Sequence, residues 1–284
     1  MNFHQFPATH IGHVHLLVSD LEKSKAFYKE TLGLKVLSEN AARVEFTADE
    51  VKPLLVIERE EDSVPRLPRS TGLFHMAFLV PERKDLAKVL LHLLQLRYPL
   101  QGASDHLFSE AIYLADPDGN GIEIYRDRAP EEWVWDGDEL PFVSDPIDIE
   151  GLLSDARNES WNEFPADTVM GHVHLNVNDL QKAKEFYHDA LGFNITVPFR
   201  HQALFVGSNG YHHHLGLNTW NGTNAPIPLK NSLGLKLFTI VVPSQEEMAV
   251  MVERLQSMDY DVMLENGKAI VKDSAGITVQ LTCN

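Results

Sequence analysis

The segment GHVHLLVSDLEKSKAFYKETLGLKV, starting at Gly12, returns as GHVHLNVNDLQKAKEFYHDALGFNI at Gly171, with 14 of 25 aligned positions identical. A repeat of this kind means that one supersecondary unit is built more than once, and that units too small to bury their own apolar faces must share a core with their neighbours. Each copy opens on residues that alternate as in a half-buried strand. It then places Ser19 three residues before Glu22, or Asn178 three before Gln181, which reads as a capping-box helix start. Leu21, Ala26, Phe27 and Leu32, and likewise Leu180, Ala183, Phe186 and Leu191, give each helix a buried stripe, and Gly33 and Gly192 are expected to end the two helices.

A fainter repeat links GLFHMAFLVPERKDLAKVLLHLL from Gly72 with GLKLFTIVVPSQEEMAVMVERL from Gly234. These two units close on a turn followed by a strand, DPDGNGIEIY from Asp116 and DSAGITVQL from Asp273. The chain therefore reads as four units of strand, helix and several strands, beginning near residues 10, 72, 171 and 234. Its 284 residues suit two domains. The expected division is 8–128 and 169–284, two units each, with 129–168 connecting them. Trp133, Trp135 and Phe142 make a free spacer a poor reading of that segment, which is expected to pack along the body.

Charge narrows the partners. Asp and Glu number 41 against 24 Lys and Arg, a formal net charge of −17, and no basic run interrupts it, so neither nucleic acid nor an anionic membrane is expected as a partner. The single cysteine, Cys283, can form no internal disulfide, and no stretch approaches the length of a membrane span, so a cytoplasmic protein is expected.

Fourteen histidines decide little by number; their positions decide more. His13 and His172 hold the same place on the first strand of units one and three, and His75 holds it in unit two, where unit four has Leu237. Glu123 interrupts the apolar GIEIY, with Gln280 at the matching place in unit four. Strand alternation could simply turn Glu123 to water while Ile122 and Ile124 face the core. Buried instead, it would cost several kcal/mol without a cation or donors. Two histidines and one carboxylate on neighbouring strands make a facial triad, suited to divalent iron or manganese with positions left open, and zinc on the same ligands is an alternative.

With GHVHLLVSDL and GHVHLNVNDL, FY and LG further along, and DPDGNGIEIY, the chain resembles the vicinal oxygen chelate superfamily, in particular the tandem type I extradiol dioxygenases of the catechol 2,3-dioxygenase kind. The resemblance implies an α+β fold of four βαβββ modules forming two cupped eight-stranded half-barrel sheets. It implies a ring-cleaving dioxygenase acting on a catechol-like molecule with O2 at Fe(II), or Mn(II). It reads His75 and Glu123 as metal ligands in unit two, His106 and Tyr113 as substrate contacts, His172 as the third ligand, and His213 in YHHHLGLNTW as the acid–base residue. His212 and His214 are then expected to face away from His213 along a regular strand.

The order of these modules departs from the common one, which leaves two pairings. If units one and two share a sheet, the triad is His13, His75 and Glu123, with no histidine pair for proton transfer. If units two and three do, it is His172, His75 and Glu123, with His213 nearby. His15 and His174, on the same faces as His13 and His172, could replace them or line the pocket. Glyoxalase-type metal-dependent isomerase or lyase chemistry, or a binding module without catalysis, are the rival functions, and a homodimer stays open. Loops such as NTWNGTNAPIPLKNS and RLPRSTG are expected to form the mouth of the pocket.

Overall fold

The computed structural model describes residues 3–156, 159–200 and 202–283. The first unit contributes β1 (His10–Leu17), α1 (Leu21–Ala26, continued by a π-helical turn, Phe27–Thr31), β2 (Lys35–Glu39), β3 (Arg43–Thr47) and β4 (Leu55–Glu58). The second contributes β5 (Gly72–Leu79), α2 (Arg83–Gln95), β6 (Leu100–Asp105), β7 (Ser109–Ala115) and β8 (Gly121–Asp127). After a short α3 (Ile149–Asp155), the third unit contributes β9 (Val169–Asn176), α4 (Leu180–Lys184, with its own π turn, Glu185–Ala190), β10 (Asn194–Arg200), β11 (Ala203–Gly207) and β12 (Leu215–Asn218). The fourth contributes β13 (Gly234–Val242), α5 (Gln245–Ser257), β14 (Val262–Glu265), β15 (Lys268–Lys272) and β16 (Thr278–Cys283). None of the described helices is long and apolar enough to cross a membrane.

The strands form two eight-stranded mixed sheets, ordered β14-β15-β16-β13-β1-β4-β3-β2 and β10-β11-β12-β9-β5-β8-β7-β6. Units one and four therefore share one sheet and units two and three the other, joined at their centres by the antiparallel pairs β1–β13 and β5–β9. The sequence halves 8–128 and 169–284 each give one module to each sheet, so the halves and the sheets do not coincide. Strand alternation sends one face of each sheet into a common core, where Met76 and Phe78 of β5, Ile122 and Ile124 of β8, and Val173 and Leu175 of β9 are buried.

The helix starts sit one residue later than the capping-box reading. Asp20 accepts the Lys23 N–H at 3.0 Å, and Asp179 accepts those of Gln181 and Lys182 at 2.9 and 3.1 Å. Ser19 instead turns to Asp118, donating its N–H at 2.8 Å and its hydroxyl as well, because the carboxylate in that neighbouring turn competes for it. Gly33 and Gly192 do follow the helical turns, with φ +85 and +82, the left-handed region that glycine enters at no steric cost.

The FY of each major repeat stitches the two sheets together. Tyr28 of unit one donates its hydroxyl to Asp116 of unit two at 2.7 Å, and Tyr187 of unit three donates to Asp273 of unit four at 2.9 Å. Asp116 and Asp273 also accept the backbone N–H groups of their own turns, which explains the aspartate opening both DPDGNG and DSAG.

Candidate metal centre

In the sheet of units two and three, one row of paired residues runs across four strands. Tyr113 pairs with Glu123, Glu123 with Ala77, and Ala77 with His172. Paired residues put their side chains on the same face, and the middle position carries only a methyl group. His75 lies two residues before Ala77 on that face, and His174 is its partner on β9. Glu123 does not face water: it is 3% exposed, inside the cup, while Ile122 and Ile124 fill the core.

Across the methyl of Ala77 the ligand atoms converge. Glu123 Oε2 lies 2.9 Å from His75 Nε2 and 3.2 Å from His172 Nε2, and one ligand atom from each of the three residues falls within 4.8 Å of the others. Neighbouring ligands at right angles around an ion, each bonded at about 2.1 Å, stand about 3 Å apart. The chemistry of the set fits as well, two imidazoles and a carboxylate with no thiolate. His75 Nε2 is buried, faces the carboxylate and meets no hydrogen-bond geometry. These residues fit a divalent ion. Burial pushes the Glu123 carboxyl up, but His172 and His75 beside it outweigh burial and hold it well below the usual carboxylate range. Burial keeps His172 below its ordinary value and thus neutral, the form that ligates.

His213 packs against His172, ring centres 4.2 Å apart. It does not lie on a regular strand: β12 begins only at Leu215, so His212 turns toward it rather than away. His212 Nδ1 stands 2.8 Å from His213 Nδ1, and His212 Nε2 stands 2.8 Å from Asp127 Oδ1. His214 does leave, its Nε2 donating to the Phe3 carbonyl at 3.0 Å. Burial, with His172 and His212 adjacent, keeps His213 well below the usual imidazole range.

His106 and Tyr113 are also brought together, His106 Nε2 lying 2.7 Å from the Tyr113 hydroxyl and Nδ1 2.6 Å from the Val143 carbonyl. A carbonyl only accepts, so Nδ1 carries the ring proton and Nε2 receives the tyrosine O–H. Burial and then the Glu123 charge push the Tyr113 hydroxyl well above the usual phenol range. His75, Glu123, His172, His213, His106 and Tyr113 all line one cavity of about 360 Å³.

The first-strand histidines separate. His172 lies in the same cup as His75, whereas His13 is in the other sheet, its backbone N–H bonded to Thr239. His15 meets Glu58 there at 2.8 Å, and His174 lines the cavity without joining the cluster.

Several contributors carry little local signal. Asp127 was findable, since Glu123, Tyr125 and Asp127 share a face by period two. Gly216 had no such mark: a Cβ there would come within 2.9 Å of the His174 ring. Gly171 leaves room for the Tyr125 hydroxyl, which bonds that of Tyr211 at 2.7 Å. Of the loops expected at the mouth, the first supplies Trp220, and the opposite wall comes from Pro141, Phe142, Val143 and Ser144 of the connecting segment.

The family model described as the Glyoxalase/Bleomycin resistance protein/Dioxygenase superfamily matches residues 10–124 and 169–281. The chain is 42% identical over 268 residues to a catechol-2,3-dioxygenase of Bacillus subtilis (strain 168), covering 93% of this chain and 94% of that protein. It is 32% identical over 130 residues to biphenyl-2,3-diol 1,2-dioxygenase 3 of Rhodococcus globerulus, 43% of this chain and 66% of that one. Among solved structures, glyoxalase I from Zea mays superposes with a TM-score of 0.59 at 15% identity, over 96% of this chain and 92% of that one. A Bacillus subtilis subsp. subtilis str. 168 structure gives 0.68 at 13% identity, over 96% and 84%. At such identities these superpositions speak for the fold.

Proposed function

The chain belongs to the Glyoxalase/Bleomycin resistance protein/Dioxygenase superfamily, and from that membership we propose that it is an extradiol dioxygenase, opening a catechol-like ring with O2 at a divalent ion held by His75, Glu123 and His172. The observation that carries this reading is the convergence of three ligand atoms and a further histidine, His213, in one buried cup. Fe(II) is the ion assigned, with Mn(II) the alternative on the same ligands. When bound, it supplies open positions where both catechol oxygens and O2 meet and exchange electrons.

The protein's own groups handle protons and orientation. Asp127 accepts the Nε2–H of His212, so His212 Nδ1 is bare and accepts the Nδ1–H of His213. That leaves His213 Nε2 as the base, on a neutral ring lining the cavity, ready to take a catechol hydroxyl proton and return it later. Tyr113, its O–H committed to His106 Nε2, keeps its oxygen lone pairs for a substrate hydroxyl. Phe74, Phe108, Phe205 and Trp220 supply apolar surface around them. Glyoxalase-type chemistry would ask for a second carboxylate, and among the described residues the cluster contains Glu123 alone.

The test mixes anaerobically Fe(II)-loaded protein with catechol in air and follows the yellow ring-opened semialdehyde. Colour in proportion to bound Fe(II), absent without O2, is the expected result. Tight metal binding with no oxygen consumed on any catechol overturns the reading.

A further inference from the structure

The two edge strands of the site-bearing sheet are β10 and β6, and the connecting segment ties them together. At one edge Leu140 donates its N–H to the Thr196 carbonyl of β10 at 2.7 Å. At the other, Asp145 and Asp105 of β6 exchange both backbone hydrogen bonds at 2.9 Å, and the Ser144 and Ser104 hydroxyls lie 2.9 Å apart. Exposed sheet edges need partners, and here one strand of chain satisfies both. Five residue steps separate Leu140 from Asp145, a reach of at most about 17 Å, so the strap pinned at both ends has little slack. Between its two anchors it lines one wall of the cavity with Pro141, Phe142, Val143 and Ser144.

Resting on the function proposed above, we infer that this strap is the specificity wall of the site and that it selects catechols with small uncharged substituents over carboxylated ones. Three of the four strap residues that line the cavity are apolar, with Ser144 the exception: Phe142 packs on Phe205, ring centres 5.6 Å apart, and Pro141 and Val143 lie beside it. No lysine or arginine lines the described cavity, so among the described residues a ring carboxylate would exchange water for neutral donors such as Gln101 and Ser104 with no cation to pair it, a penalty that falls on binding itself. The volume of about 360 Å³ lies at the small end of ligand pockets, roughly 300–1,000 Å³, which suits one ring with a short substituent. The strap also orients a substrate contact, since the Val143 carbonyl fixes the tautomer of His106.

The experiment compares 4-methylcatechol with 3,4-dihydroxybenzoate on the anaerobic Fe(II)-loaded protein, reading binding by isothermal titration calorimetry, and in parallel reads oxygen consumption in air. Methylcatechol is expected to bind on the order of 100-fold more tightly. Phe142→Ala is expected to raise KM for methylcatechol about tenfold with kcat within twofold. In the unaltered protein, methylcatechol should slow hydrogen exchange at the Leu140 and Asp145 amides, a readout that needs no variant to fold. Equal affinity for the two ligands, or exchange at both strap amides that the ligand leaves unchanged, overturns the strap as selector even if oxygen is consumed. Discrimination in binding without oxygen consumption sinks the dioxygenase reading and leaves the strap standing. Failure of both ligands to bind overturns both.

Discussion

His212 Nδ1 and His213 Nδ1 stand 2.8 Å apart, so the two rings share one proton, and the 2.8 Å contact between His212 Nε2 and Asp127 Oδ1 decides that it belongs to His213. Asp127→Asn can present an N–H to His212 in place of an acceptor and reverse both tautomers. We expect kcat to fall about 10- to 100-fold with bound metal unchanged, whereas His213→Ala should cost about 100- to 10,000-fold. Steady-state kinetics beside metal analysis check this; an Asp127→Asn enzyme with full kcat removes the relay.

His172 and His13 are equivalent in the repeat and separate in space. His172→Ala should abolish metal retention through dialysis, while His13→Ala, in the other sheet, should leave it nearly intact. Atomic absorption on the two dialysed variants reads the outcome. The reverse result would move the ion to another ligand set.

Ala77 sits between Glu123 and His172 in the row across the sheet, and its side chain is fully buried. Ala77→Leu should force the two ligands apart and empty the site, at a stability cost of about 1–3 kcal/mol from overpacking. Metal stoichiometry and urea unfolding on the same sample check the pair of effects, and a variant that keeps its metal argues against the convergence described.

Burial pushes the Asp273 carboxyl up to about 6, with Tyr187 and Tyr260 facing it. A raised value means that the folded chain holds this proton more tightly than the unfolded one. Its contribution is full below the unfolded value near 3.8 and is lost as pH rises through about 6. The gap corresponds to about 3 kcal/mol. Asp273→Asn, which imitates the protonated acid, should flatten this part of the stability curve between pH 4 and 7. Urea midpoints across that range test it, and parallel curves for the two proteins would contradict it.

Much of this was legible residue by residue. The repeat at Gly12 and Gly171 announced the strand and helix that open units one and three; period two set Glu123 apart from Ile122 and Ile124 without saying which side was buried, and the family resemblance named His75, His172 and Tyr113. The helix starts were misread by one position, because Ser19 and Asn178 each precede an aspartate that caps equally well and a distant carboxylate claims Ser19. The histidine run was misread as strand, because Tyr211 to His214 leads without a glycine or proline into the apolar residues of β12, which begins only at Leu215. The strap's polar and aromatic mixture said only that it would pack, and nothing in it named the two edges it joins.

The sequence by itself determined the modules, their order and which side chains share a face, since alternation and capping are properties of a few consecutive residues. Only the tertiary structure decided that β5 lies beside β9 and β1 beside β13. Strand partners are chosen by hydrogen bonds and buried faces between segments far apart in the chain, and it is that choice which puts His172 opposite Ala77 and within 3.2 Å of Glu123, and leaves His13 in the other cup.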